Sequence, residues 1–126
     1  MISEVDIRDW EDTFIFTERD PHGKNPKEPG SKLDAGKPPL SRGLLNYFPN
    51  ACLAVADVSR LGAEKYAWKG WETVPDGINR YGDALARHIV YEEIDGLYDP
   101  QLGVLHAAEA AWNALAKLEL VIRSLK

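Results

Sequence analysis

Residues 76–124 read DGINRYGDALARHIVYEEIDGLYDPQLGVLHAAEAAWNALAKLELVIRS, and the periodicity of this stretch decides the fold. A helix is predicted from near Asp76 to about Gly96, where glycine supplies the stop. Within it His88, Glu92 and Asp95 stand at i, i+4 and i+7, so they project from one stripe together with Tyr81 and Ala84, while Glu93 points elsewhere. After the Asp99 and Pro100 turn a second helix runs almost to the end, rich in Ala and Leu. It is apolar on nearly every side, so it is expected to be buried. Only a few residues join the two helices, which therefore pack most simply as an antiparallel pair in an all-α protein.

The second helix carries a polar stripe of its own. His106, Glu109 and Asn113 stand at i, i+3 and i+7, interrupting a surface of alanine and leucine. When the two stripes meet, up to three carboxylates and two imidazoles share one pocket inside a helical bundle. Unpaired buried carboxylates cost on the order of several kcal/mol each, so their company implies a compensating cation. Hard oxygen ligands point to magnesium or manganese, whereas zinc favours more Cys or His. A metal-activated water attacking phosphorus follows as the chemistry, with Asn113 left to meet a base edge or a phosphate. The competing reading makes the acids a solvated face and each His a partner of a backbone carbonyl. Against it, Glu109 sits among Ala107, Ala108, Ala110, Ala111 and Trp112, where a solvated face carries more polar residues.

Working outward, an earlier helix is predicted from Pro49, with Leu53, Val55, Ala56, Val58 and Leu61 at helical spacing, fraying at Gly62 or continuing to Tyr66. An aromatic turn, Trp68, Lys69, Gly70 and Trp71, and the breaker Pro75 follow it. Upstream, Pro21, Gly23, Pro26, Pro29, Gly30, Gly36, Pro38 and Pro39 mark loop. The expectation is one domain over 1–126, with an extended Pro/Gly-rich arm and loops over 1–48 and a helical metal-binding core over 49–126. Thr13 to Thr17 reads either as a short strand or as an arm packing on a partner subunit. Lys32 to Pro38, with Lys32, Lys37 and Gly36, reads either as a phosphate clamp or as a solvated loop. Lys65, Arg80 and Arg87 are suited to neutralising a triphosphate or to plain surface pairing. Tyr66, Trp68 and Trp71 stack on a base or pack in the core.

Composition bounds the partners. The 126 residues are 44% hydrophobic and 28% charged, with a formal net charge of -5 and a pI near 5.2. This is a globular, acidic chain without the broad basic field that draws proteins onto nucleic acid or anionic lipid. The single Cys52 has no internal disulfide partner, and with neither a leader pattern nor a membrane-length apolar run in the sequence, a reducing cytoplasm is the expectation. The apolar last helix is expected to hide part of its surface in a homodimer or homotetramer.

The series Lys32, Asp34, Gly36, Lys37, Pro38, then Gly62, Ala63, Lys65, Tyr66, then Trp71, Arg80, Tyr81, Ala84, Arg87, His88, Asp99, Pro100, Gly103, His106, Ala110 and Asn113 resembles the phage-encoded dATP/dGTP diphosphohydrolase family. That family is grouped with the MazG-like all-α nucleotide pyrophosphatases, and the resemblance spans roughly residues 32 to 120. It implies a MazG-like helical bundle and a metal-dependent enzyme that cuts a nucleoside triphosphate between its α and β phosphates, releasing pyrophosphate. Similarity to the MazZ-like branch implies dGTP, and also GTP, as substrate, with the monophosphate feeding 2-aminoadenine nucleotide synthesis in the cytoplasm of an infected host.

The resemblance further implies two or three magnesium or manganese ions held by Glu92, Asp95 and Glu109 as the catalytic acids, with His106 and Asp99 as additional ligands. Lys32, Lys37, Lys65, Trp71, Arg80, Arg87, His88 and Asn113 are the residues expected at the substrate, the loop lysines reaching the site of a neighbouring subunit. The family pattern often has a Gly-Glu pair before the turn and a second His at the position of Glu109. Here Asp95, Gly96 and Gln101 occupy that neighbourhood, and Glu109 restores an acid. Two alternatives stand beside this reading: hydrolysis of other dNTPs or of a phosphoribosyl nucleotide, and a non-catalytic nucleotide-binding assembly protein.

Overall fold

The computed structural model describes residues 18–126. The strand-or-arm segment Thr13 to Thr17 lies outside them. Three helices carry the fold: α1 over Pro49–Lys65, α2 over Gly77–Asp95 and α3 over His106–Ser124. A single π-type turn, Ser41–Leu45, precedes α1, and a 3-10 turn, Gly70–Thr73, links α1 to α2. The described residues are all-α, with one isolated antiparallel bridge, Tyr98 to Leu105, in place of any strand.

The helix ends follow from local chemistry. Pro49 opens α1 at a position where its missing N–H is no loss. Gly96 closes α2 at φ 88° and returns its N–H to the Glu92 carbonyl, a conformation that glycine adopts without a Cβ penalty. Gly96 and the Asp76 before Gly77 are thus the caps of α2, close to the boundaries the sequence predicts.

The connection between α2 and α3 is short and tightly bonded. The N–H of Asp99 donates to the Val104 carbonyl at 2.7 Å, that of Gly103 to Asp99 at 2.8 Å and that of His106 to Leu97 at 2.9 Å. This loop folds α3 back along α2. The two helices meet closely where side chains are absent: a Cβ on Gly77 would lie 2.8 Å from Cδ1 of Leu120, and one on Gly82 would lie 3.3 Å from Nζ of Lys117.

α1 packs on a different side of α3, making α3 the central helix. Trp112 Nε1 donates to Ser59 Oγ at 2.8 Å and ties α3 to α1. Trp71, Tyr81 and Trp112 meet edge to face, with ring centroids 5.6–6.4 Å apart, a favoured geometry for aromatic rings. The Tyr81 hydroxyl donates to the Trp71 carbonyl at 2.8 Å. In the loop segment, Asp20 is buried and accepts N–H groups from His22, Lys24 and Lys32 at 2.7, 3.3 and 2.9 Å.

Burial is unevenly shared. Among the described residues the fully buried apolar side chains are Ala108, Ala110 and Ala116, while His106, Glu109, Asn113 and Asp99 are buried beside them. The centre of the α2–α3 pair is therefore more polar than a usual core. α3 is not enclosed on every side as its composition suggests, because Ala107, Ala111, Leu115, Leu118 and Leu125 are exposed. No helix among the described residues is long and apolar enough to cross a membrane.

Candidate metal centre

Four side chains converge where α2, the connecting loop and the start of α3 meet. His88 comes from α2, Asp99 from the loop, and His106 and Glu109 from the first turn of α3, with one ligand atom of each within 4.8 Å of the others. His106 is 1% exposed and Glu109 5%, so little water reaches these groups. The loop hydrogen bonds aim Asp99 inward, and its own carboxylate accepts the N–H of Gln101 at 2.8 Å, as Asp does in turns of this kind.

A chain of contacts runs through the cluster. Asp95 Oδ2 lies 3.0 Å from His106 Nε2, His106 Nδ1 lies 3.1 Å from His88 Nδ1, and His88 Nε2 lies 3.0 Å from Glu109 Oε2. Each link needs one proton, supplied by one of its two partners. The Asp95 carboxylate accepts from His106 Nε2, the two Nδ1 atoms share one proton, and His88 Nε2 and Glu109 Oε2 share another.

The electrostatics decide the charge of the last link. Burial, followed by the proton-sharing contact and the charge of Asp99, pushes Glu109 up to about 8. Burial, the neighbouring His106 and the Arg87 charge outweigh Asp99 and hold His88 below the usual imidazole value. The His88 to Glu109 contact is thus a neutral hydrogen bond, not an ion pair. Burial works upward on Asp99 too, but the contact with Glu109, the N–H groups of Gln101 and Leu102 and the nearby His106 bring it below the ordinary aspartate value.

The cluster remains incomplete on one side. Glu109 Oε1 is buried and has no hydrogen-bond partner, an uncommon state for a buried polar atom. The Asp99 carboxylate belongs to the same group and shares a proton with Glu109. One cation between Asp99 and Glu109 would give that oxygen a partner, and the two imidazoles and two carboxylates would offer it four donors. Among the described residues this is the one such group.

The expected residues divide by location. His106, Glu109 and Asp99 are in the group, and so is His88, which the sequence reading placed with the substrate. Asp95 is next to the group, orienting His106, whereas Glu92 is half-buried on α2 and outside it. Asn113 is buried, with Nδ2 donating to the Glu109 carbonyl at 2.9 Å.

The expected cations and Trp71 have other partners. Arg87 is exposed beside His88, and Arg80 donates to the Pro75 carbonyl at 3.1 Å. Lys65 lies 5.3 Å over the Tyr66 ring, and Trp71 belongs to the aromatic cluster beneath Arg123. Lys32 and Lys37 stay in the loop segment, meeting Asp20 through the main chain and Glu18 through Nζ. Sequence reasoning missed Tyr91, whose ring lies about 6 Å from both imidazoles, at 6.0 Å from His88 and 6.1 Å from His106. Its place three residues after His88 was the available signal.

The family profile described as dATP/dGTP diphosphohydrolase, N-terminal, matches residues 27–126. The chain belongs to this family. A dATP/dGTP diphosphohydrolase of Salmonella phage PMBT28 is 38% identical over 82 residues, which cover 65% of this chain and 26% of that protein. The match thus spans about a quarter of the length of that relative. No solved structure matches the chain. All four residues of the cluster fall inside the segment that the family profile covers.

Proposed function

We propose that this family member is a metal-dependent nucleoside triphosphate pyrophosphohydrolase, hydrolysing dGTP and GTP to the monophosphate and pyrophosphate. The observation that carries the metal reading is the buried, unpartnered Oε1 of Glu109, in one group with Asp99 and two imidazoles. The purine deoxynucleotide substrate is supported by the name of the phage relative, which covers both dATP and dGTP. The guanine preference, and delivery of the product to 2-aminoadenine nucleotide synthesis in an infected host's cytoplasm, rest on the sequence resemblance.

His88, Asp99, His106 and Glu109 hold the first magnesium or manganese ion in this reading, and further ions draw on Glu92, Asp95 and the substrate's phosphate oxygens. The bound metal lowers the pKa of a water ligand and offsets phosphate charge. Asp95 keeps His106 turned so that Nδ1 faces the site, and the Gln101 N–H keeps Asp99 inward. Glu109 would give up its proton on binding such an ion. Arg87, exposed beside His88, is the cation nearest in sequence for a phosphate. The two imidazoles favour manganese over magnesium. The working unit is a homodimer or homotetramer.

Incubation with each dNTP and with GTP, in the presence of manganese or magnesium, tests the activity. Pyrophosphate and monophosphate are expected, with dGTP the best substrate. Release of single phosphate, or no hydrolysis, overturns the activity. A panel including a phosphoribosyl nucleotide separates the alternative substrates. In a non-catalytic nucleotide-binding protein Glu109→Ala leaves metal affinity unchanged, whereas the enzyme reading requires loss of both metal and turnover.

A further inference from the structure

α3 carries a second, outward pattern that the metal centre does not use. Ala107, Ala111, Ala114, Leu118, Val121 and Leu125 recur at alternating four- and three-residue intervals, continuing into the C-cap. That is the spacing of a coiled-coil seam. Ala107, Ala111, Leu118 and Leu125 are exposed, and Ala114 and Val121 are half-buried. None of the six is polar. The seam lies away from the His106, Glu109 and Asn113 stripe that faces α2.

The order of sizes along it is informative. The first three positions are alanine and the last three are large. Laid against itself in parallel, the seam would set alanine on alanine at one end and leucine on leucine at the other, splaying the helices. Laid antiparallel with a twofold axis at residue 116, it pairs 107 with 125, 111 with 121 and 114 with 118, so every small residue meets a large one. Such pairing fills space evenly along roughly 27 Å of helix, at 1.5 Å per residue.

From this pattern we infer that α3 forms the twofold interface of a homodimer, paired antiparallel with α3 of a second copy about an axis at the level of residue 116. The inference rests on the oligomer reading above and names the face that makes it. Three further observations favour a second copy as the occupant. Among its described residues the protomer buries only Ala108, Ala110 and Ala116 as apolar side chains, so much apolar surface is left for a second copy to cover. Leu115, 55% exposed and flanking the seam, would meet its symmetry mate at the axis. Lys117, the charged residue on the opposite flank, lays its Nζ over Gly82 of α2 and so is turned off the seam. A self-complementary face of this kind gives closed, isologous association.

Sedimentation equilibrium of the full chain, with circular dichroism to confirm helix content, tests the proposal. The natural chain is expected to be at least dimeric, and Leu118→Glu to shift it to monomer. Because that variant risks misfolding, volume swaps provide the sharper test. Ala114→Leu alone and Leu118→Ala alone should each raise the dissociation constant at the α3 face by about 10-fold or more. The double variant, which exchanges the two sizes across the axis, should bring it back to within a few-fold of the natural value. Additive losses in the double variant, or folded Leu118→Glu with unchanged association, overturn the α3 face while leaving the oligomer intact. A natural chain that stays monomeric overturns the oligomer reading itself.

Discussion

At the scale of single residues, Glu109 concentrates the chemistry. Its sequence setting among alanines marked it as unlike a solvated acid, and its partners could be read in part: two polar stripes at helical spacing were bound to meet if α2 and α3 paired. The distribution of roles was not legible. His88 and His106 touch through Nδ1 atoms, and Asp99 arrives from a loop, which periodicity does not describe. Glu109→Gln keeps the shape and offers an N–H toward His88 or Asp99 without a charge. It is therefore expected to fold, to lose tight metal binding, and to lower pyrophosphate release by about 1,000-fold, as deletions within a catalytic unit do; titration with manganese and a turnover assay check both.

The raised pKa of Glu109 has a pH signature. With a folded value of about 8 against an ordinary 4.5, the folded state holds a proton that the unfolded chain has released. This contribution to stability is fully present below about pH 4.5 and is lost as pH climbs toward 8. Melting curves in chelator should accordingly show a decline across that window that is missing in Glu109→Gln. Manganese should offset the decline, since the ion occupies the deprotonated form.

At the scale of elements, the helix boundaries were the most readable feature, because glycine and proline act locally through backbone sterics. The predicted start of α2 near Asp76 and stop at Gly96 fall on its caps. The predicted start of α1 at Pro49 also holds, and of the two endings offered, its run to Lys65 favours the longer. The closeness of α2 to α3 was not readable. It depends on which side chains are missing at the contact, notably Gly77 beneath Leu120. Gly77→Ala is expected to destabilise by about 1–3 kcal/mol, the usual range for overpacking. Leu120→Ala should cost its own cavity but remove the clash, so the double variant should be more stable than the two losses summed. Denaturant titration of the four proteins measures that coupling.

At the scale of the whole molecule, composition fixed the class and left the assembly open. Leu53, Ile94, Leu97 and Tyr98 are each more than 60% exposed, at 72, 72, 62 and 61%. No count of hydrophobic residues reveals this, since totals do not say which apolar faces the chain itself can cover. An associating protein is stabilised by mass action, so the melting temperature should rise with protein concentration over the micromolar range. A melting temperature independent of concentration would show that each protomer is stable alone.

The loop from Leu97 to His106 also bears on how the protein reaches its native state. Every ligand of the centre lies between residues 88 and 109, inside one helical hairpin, so closing the site requires only a short excursion of chain. Contacts this local are gained early on the folding path, since little loop entropy opposes them. Under the proposed function the hairpin should therefore be able to capture an ion before α1 docks, so that a bound metal would also act as a folding nucleus. Refolding from urea should then be faster when manganese is present in the dilution buffer than when it is added afterwards.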